Sequence, residues 1–331
     1  MLSIDDLRAL SEVDPEFKQI LESDDPLIAG WTHDTDIFAI RRAIAKMRRE
    51  QVKPDKANLP YCEEDIEIPV RDGRVTAARV YRPRAMLLEG CPGMVIFHGG
   101  GYLVGDFETE AWLCALFVEL GGIAVNVDYR HAPEHVFPAA IHDALDSTVW
   151  ISRNAKALGI NPRKGLLVGG ESSGADMALV VAHLCRDSNM MPPLTGIYAP
   201  MPGGATKETV PAKYRDRFIS LEQNARAPML WAESIEFFRK LYKADLTSPL
   251  ALPIVFGHAG LPKTYFQVCG LDPVRDCGLI MEQTLREAGV ETKMDMYPGL
   301  PHAFWGFFPQ LTATAKHGRD SEAGLRWLLE Q

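Results

Sequence analysis

A mainly parallel α/β fold, its sheet covered on both faces by helices, is what the amino-acid pattern predicts. Three observations carry it. Short continuous apolar runs recur at residues 94–97, 123–127, 166–168, 264–268 and 292–297, and a further strand is expected at 194–199. They alternate with segments of helical spacing at about 109–120, 139–157, 174–188, 275–288 and 316–329. Unbroken apolar strands separated by helices mark a sheet buried on both sides, since a parallel crossover needs a helix. The third observation is the stretch Gly170-Glu171-Ser172-Ser173-Gly174, where an apolar strand stops at a serine between two glycines and passes at once into a helix. That strand–turn–helix setting is what a G-x-S-x-G nucleophile elbow requires. An isolated match would more often be a serine capping its helix, so the rest of the chain has to decide.

In chain order, residues 1–56 carry no strand signal. Ile37, Ile40, Ile44 and Met47 recur at helical spacing, and Leu7, Leu10, Phe17, Ile20 and Leu21 suggest one or two shorter helices broken around Pro15 and Pro26. This N-terminal segment is expected to lie over the sheet as part of a cap. Two alternating runs, 66–70 and 75–81, flank Arg71-Asp72-Gly73-Arg74 and read as a hairpin. With the six later strands they make eight. Residues 201–253 interrupt the alternation: a loop-like start at Met201-Pro202-Gly203-Gly204 leads to Met229, Leu230, Trp231, Ile235, Phe237, Phe238, Leu241 and Tyr242 at largely helical spacing. They are read as an inserted helical cap segment, although such a stripe is more often core than ligand contact. The core would then be 57–200 and 254–331.

Composition excludes several classes. A length of 331 residues suits one α/β domain with an appended lid, and a net charge of −9 without a basic cluster argues against nucleic acid. The six cysteines fall singly, mostly inside apolar runs, without C-x-x-C spacing, which fits reduced buried thiols rather than disulfides or zinc. The start Met1-Leu2-Ser3-Ile4-Asp5-Asp6 lacks a basic, apolar leader, and no stretch approaches the roughly 20 apolar residues of a membrane span. A cytoplasmic protein without a membrane partner is expected. No phosphate-binding glycine loop is present: none ends in Gly-Lys-Ser or Gly-Lys-Thr, and no G-x-G-x-x-G opens a helix after a strand.

The chemistry is carried by separated motifs. His98-Gly99-Gly100-Gly101-Tyr102 follows the strand 94–97, and consecutive glycines let backbone N–H groups approach a ligand oxygen. A serine hydroxyl is a poor nucleophile at neutral pH, so Ser172 needs a base and a group to orient it. Asp272, in Cys269-Gly270-Leu271-Asp272-Pro273, closes one strand, and His302, in Pro298-Gly299-Leu300-Pro301-His302, follows the last. Their order after the serine is that of α/β-hydrolases. Asp276 is the nearest rival acid and Asp295 sits within a strand; His258 lies at the cap's edge, His317 in the last helix, and His98 is read as fixing the glycine loop.

At this point the sequence resembles the hormone-sensitive-lipase-like family of α/β-hydrolases over about residues 94–310. The resemblance rests on His98-Gly99-Gly100-Gly101, Asp128-Tyr129-Arg130-His131-Ala132-Pro133-Glu134-His135 with Phe137-Pro138-Ala139-Ala140, the elbow, Leu271-Asp272-Pro273 and His302-Ala303-Phe304. It implies an eight-stranded α/β-hydrolase fold with a helical cap, and oxyanion donors at the N–H groups of Gly100, Gly101 and Ser173. Glu171 stands where the family usually has aspartate, and Ala175 where it often has glycine; charge and small size are kept. The Glu171-Ser172-Ser173 variant is similar to fungal members, including esterases of polyketide pathways. The function implied is hydrolysis of a small to medium hydrophobic carboxylic ester, with no cofactor and no metal. A lactonase, an acyltransferase or a non-catalytic small-molecule receptor on the same scaffold are the alternatives. Relatives often pair through the last strand and helices, so a homodimer is compatible with the resemblance.

Overall fold

The computed structural model describes residues 2–22, 29–51, 58–85 and 88–330. The break expected near Pro26 and the boundary at 56/57 lie outside the described residues. The hairpin forms as β1 (Tyr61–Pro69) and β2 (Val75–Pro83), paired antiparallel with Ile66 opposite Ala78. Gly73 supplies the positive φ of +79° in its turn. Then come β3 (Gly93–Phe97), β4 (Ile123–Asp128), β5 (Leu166–Gly170), β6 (Gly196–Pro200), β7 (Lys263–Leu271) and β8 (Thr292–Pro301). They build one eight-stranded sheet in the order β1-β2-β4-β3-β5-β6-β7-β8, parallel from β4 onward.

Helices cover both faces. The helices α5 (Ala139–Arg153), α7 (Ser173–Asp187) and α10 (Arg275–Glu287) pack with the larger buried cluster on one face. Opposite them, α4 (Ala111–Glu119) and α11 (Thr312–Leu329) bury Phe117, Leu325 and Leu328 against Met94, Ile96 and Tyr198. The helix expected over 139–157 is divided at Asn154, after which α6 (Ala155–Leu158) ends in Gly159 at φ +81°. Strand β8 runs past its expected end through Pro298 and Pro301. It is an edge strand, where a missing N–H costs no ladder bond.

The N-terminal helices α1 (Ile4–Ala9) and α2 (Pro15–Leu21) settle beside the C-terminal ends of β7 and β8. Leu7 and Leu10 join Val268 and Leu279, and Phe17 packs on Phe308. The break expected around Pro15 falls between α1 and α2, and Pro15 itself opens α2, capped by Asp14. In α3 (Ile37–Glu50), Ile37 is buried while Met47, assigned to the same stripe, is exposed. Between β6 and β7 lie α8 (Ser220–Gln223) and α9 (Ala232–Tyr242). The N-terminal segment meets α9 closely: Trp31 crosses Phe238 edge to face at 5.5 Å, and Ser234 Oγ donates to the Trp31 carbonyl.

The decisive placement is in the middle of the sheet. Strand β3 lies between β4 and β5, so the connections after β3 and β5 part company and leave a crevice at the strands' carboxyl ends. Phe97 and Gly170 are register partners. The residues that follow them, His98 and Glu171, therefore emerge side by side.

Candidate active site

Ser172 sits at φ +54°, ψ −117°, a strained conformation for a residue with a side chain, between the end of β5 and the first turn of α7. Its N–H donates to the Pro200 carbonyl. The flanking glycines are required by proximity: a Cβ at Gly170 or Gly174 would lie 1.9 or 2.0 Å from the Phe97 carbonyl oxygen. A turn this tight against β3 brings the serine to the glycine loop.

The loops after β7 and β8 deliver two more side chains to it. Ser172 Oγ lies 2.9 Å from His302 Nε2, and His302 Nδ1 lies 2.6 Å from Asp272 Oδ2. An ionised carboxylate can only accept, so Nδ1 carries the proton and Nε2 is free to accept from the serine hydroxyl. Asp272 is buried, and its second oxygen accepts the Val274 N–H at 3.0 Å. Ser172 and His302 are half-buried. The rival groups are committed elsewhere. Asp276 accepts the N–H groups of Ile219 and Ser220 and pairs with Arg275, while Asp295 accepts from Tyr265. His258 faces His183 at 3.0 Å, and His317 stacks on Trp305.

Above the serine, Gly100 and Gly101 adopt φ +117° and +62°. The N–H groups of Gly100 and Ser173 have no hydrogen bond among the described residues. The Gly101 N–H is directed at Ser173 Oγ, 3.0 Å away. Of the three backbone donors expected from the sequence, two are thus unengaged and one is shared with a neighbouring hydroxyl. His98 does fix the loop: its Nδ1 bonds the Gly99 carbonyl at 2.8 Å, and its own carbonyl accepts from Tyr129. Burial pushes its imidazole down to about 4.

Residues 94–306 match a family described as alpha/beta hydrolase fold. The chain belongs to this family. It is 34% identical to an AB hydrolase superfamily protein of Schizosaccharomyces pombe over 96% of this chain and 94% of that one. It is also 34% identical to versiconal hemiacetal acetate esterase of Dothistroma septosporum, covering 83% of this chain and 85% of the relative. The solved structure of vibralactone cyclase superposes with a TM-score of 0.84 at 30% identity, over 97% of this chain and 96% of that one. The hydrolase is of the carboxylesterase type, in the hormone-sensitive-lipase-like branch that its motifs resemble. Among its described residues no helix is long and apolar enough to cross a membrane.

Several contacts around the hydrolase's site have no signal in the sequence pattern. Glu110, at the start of the helix after the glycine loop, is buried and accepts the Gly99 N–H at 2.9 Å. Glu171 is buried too and accepts from Trp305 Nε1. Burial raises both carboxyls above their ordinary range, and for Glu171 the nearby Glu110 adds to the rise. Arg41 of α3 donates to the carbonyls of Leu103 and Ala132 and pairs with Glu134, tying the N-terminal segment to the glycine loop. Nothing in local periodicity marks such long-range contacts. The ligand atoms of His98, Asp128 and His131 gather within 4.8 Å of one another, and His98 Nε2 faces His131 Nε2 at 3.2 Å. With Nδ1 on Gly99 and Nε2 on His131, the His98 ring is already satisfied by the protein.

Proposed function

We propose that this hydrolase cleaves a small to medium hydrophobic carboxylic ester through Ser172, His302 and Asp272. The observation that carries the reading is the unbroken chain of contacts from the serine hydroxyl through the imidazole to a buried carboxylate. Ser172 Oγ attacks the acyl carbon as His302 Nε2 takes its proton, and Asp272 holds the tautomer and steadies the imidazolium. The tetrahedral oxyanion is received by the N–H groups of Gly100 and Ser173, with Gly101 joining as Ser173 Oγ yields. Collapse returns the proton from His302 to the leaving alcohol, and water then repeats the sequence on the acyl-enzyme. Each backbone donor contributes about a hundredfold to a thousandfold in rate. Residues 1–56 and 201–253 act together as the cap over this centre, a division supported by the contact of Trp31 with Phe238.

Ser172→Ala should abolish turnover of p-nitrophenyl butyrate in folded protein, and a fluorophosphonate probe should label the wild type at Ser172. Persistent turnover in the variant removes the serine from the reaction, and an unlabelled wild type favours a receptor. A second reading, lactone opening or acyl transfer by the same residues, is favoured by the likeness to vibralactone cyclase. Product analysis with a lactone, or with an ester and an added alcohol, separates it from simple hydrolysis. The free thiols, five of the six buried, suit a reducing cytoplasm. A homodimer is tested by size-exclusion chromatography.

A further inference from the structure

Glu110 stands at the N-cap position of α4, yet its side chain caps nothing in that helix. It turns instead into the protein, where Oε1 accepts the Gly99 N–H at 2.9 Å, and Oε2 is buried with no hydrogen bond to any described residue. A buried carboxyl is costly to leave unpaired, so the contact that this one does make calls for an explanation. What it grips is the hinge of the glycine loop. Gly99 joins the end of β3 to Gly100 and Gly101, and its carbonyl is held from the other side by His98 Nδ1. Beneath the same peptide lies the elbow: a Cβ at Gly99 would come within 3.1 Å of the Glu171 carbonyl oxygen and 3.7 Å of Glu110 Oε1.

We propose that Glu110 is a positioning residue for the oxyanion site: by accepting the Gly99 N–H it sets the loop so that the next amides face the carbonyl under attack at Ser172. It touches no reacting atom and acts through Gly99 alone. The acceptor oxygen does this work and the negative charge does not, which agrees with the burial that keeps this carboxyl and Glu171 protonated to higher pH than usual. Loss of the grip would leave substrate binding intact and displace the donors in the transition state. An error on the ångström scale in such a site lowers turnover by roughly a hundredfold.

The inference rests on the ester-hydrolase reading, and the experiment keeps the two apart. Wild-type enzyme must turn over p-nitrophenyl butyrate and accept the fluorophosphonate at Ser172; if it does neither, the hydrolase reading fails and not the anchor. Given that activity, Glu110→Met, similar in length but lacking the acceptor, should lower kcat by about ten- to a hundredfold while KM stays within about threefold. Glu110→Gln, which restores an acceptor without charge, should recover most of the rate. Should the methionine variant not fold, Glu110→Asp keeps the carboxyl, shortens its reach by one methylene and must show the same loss in kcat. A folded methionine or aspartate variant with wild-type kcat, a defect confined to KM, or a glutamine variant as slow as the methionine one would each overturn the assignment.

Discussion

Single atoms at the centre make sharp demands. Asp272 offers one oxygen to His302 Nδ1 and the other to the Val274 N–H. Asp272→Asn can keep the shape only by turning its NH2 toward Nδ1, which moves the imidazole proton to Nε2 and blocks acceptance from the serine. We expect kcat for p-nitrophenyl butyrate to fall about a thousandfold or more with little change in melting temperature; a loss below tenfold would contradict the assigned tautomer. Asp176, one turn after the nucleophile in α7, is nine-tenths buried, and burial raises its carboxyl to about 8. A raised acid favours the folded state below its unfolded value near 4, and that contribution is lost as pH climbs toward 8. The melting temperature of Asp176→Asn minus that of the wild type should therefore grow from pH 4 to pH 8, and a difference flat across that window would refute it. Ser172, Asp272 and His302 were legible because each closes or follows an apolar strand in a recognisable order. Glu110 was not, since its importance lies in an amide eleven positions away along the chain.

Secondary-structure elements were legible in proportion to how fully the sheet swallows them. Strands β3 to β7 are buried along nearly their whole length, so their composition announces them. Where an element meets only part of the core, the pattern misleads: the stripe on α3 leaves Met47 outside. That the two cap segments meet is expected from the sequence, but the pair that joins them, Trp31 and Phe238, is not legible because it spans segments far apart in the chain. Phe238 also lies directly over the glycine loop, within 2.6 Å of where a Cβ at Gly101 would stand. Truncating it opens the cap side of the site without touching the donors. For Phe238→Ala we expect KM for p-nitrophenyl hexanoate to rise about tenfold, the loss of one to two kilocalories of apolar contact, with kcat within about threefold. A large fall in kcat at unchanged KM would instead make Phe238 part of the loop's support.

At the scale of the molecule, Arg275 knits regions that the chain holds far apart. Its fully buried guanidinium pairs with Asp276 and reaches the Leu7 carbonyl, Ser11 Oγ and Gln223, while Asp276 holds the backbone ahead of α8. Arg275→Met strands a buried carboxylate, so stability should drop by about 3–5 kcal/mol, read as a lower urea midpoint; an unchanged midpoint would show that Asp276 is neutralised by other means. Nearby, Ser11 Oγ donates to the Gly270 carbonyl, the Gly299 N–H donates to the Leu10 carbonyl, and the Asp14 N–H returns to the Gly299 carbonyl. The stretch from Leu10 to Asp14 is thereby wedged against the ends of β7 and β8 that lead to Asp272 and His302. During synthesis on the ribosome this stretch is made well before the strand ends that receive it. Until those strands follow, Leu7, Leu10 and Phe17 lack their packing partners, so a nascent chain arrested before β8 should be a chaperone client.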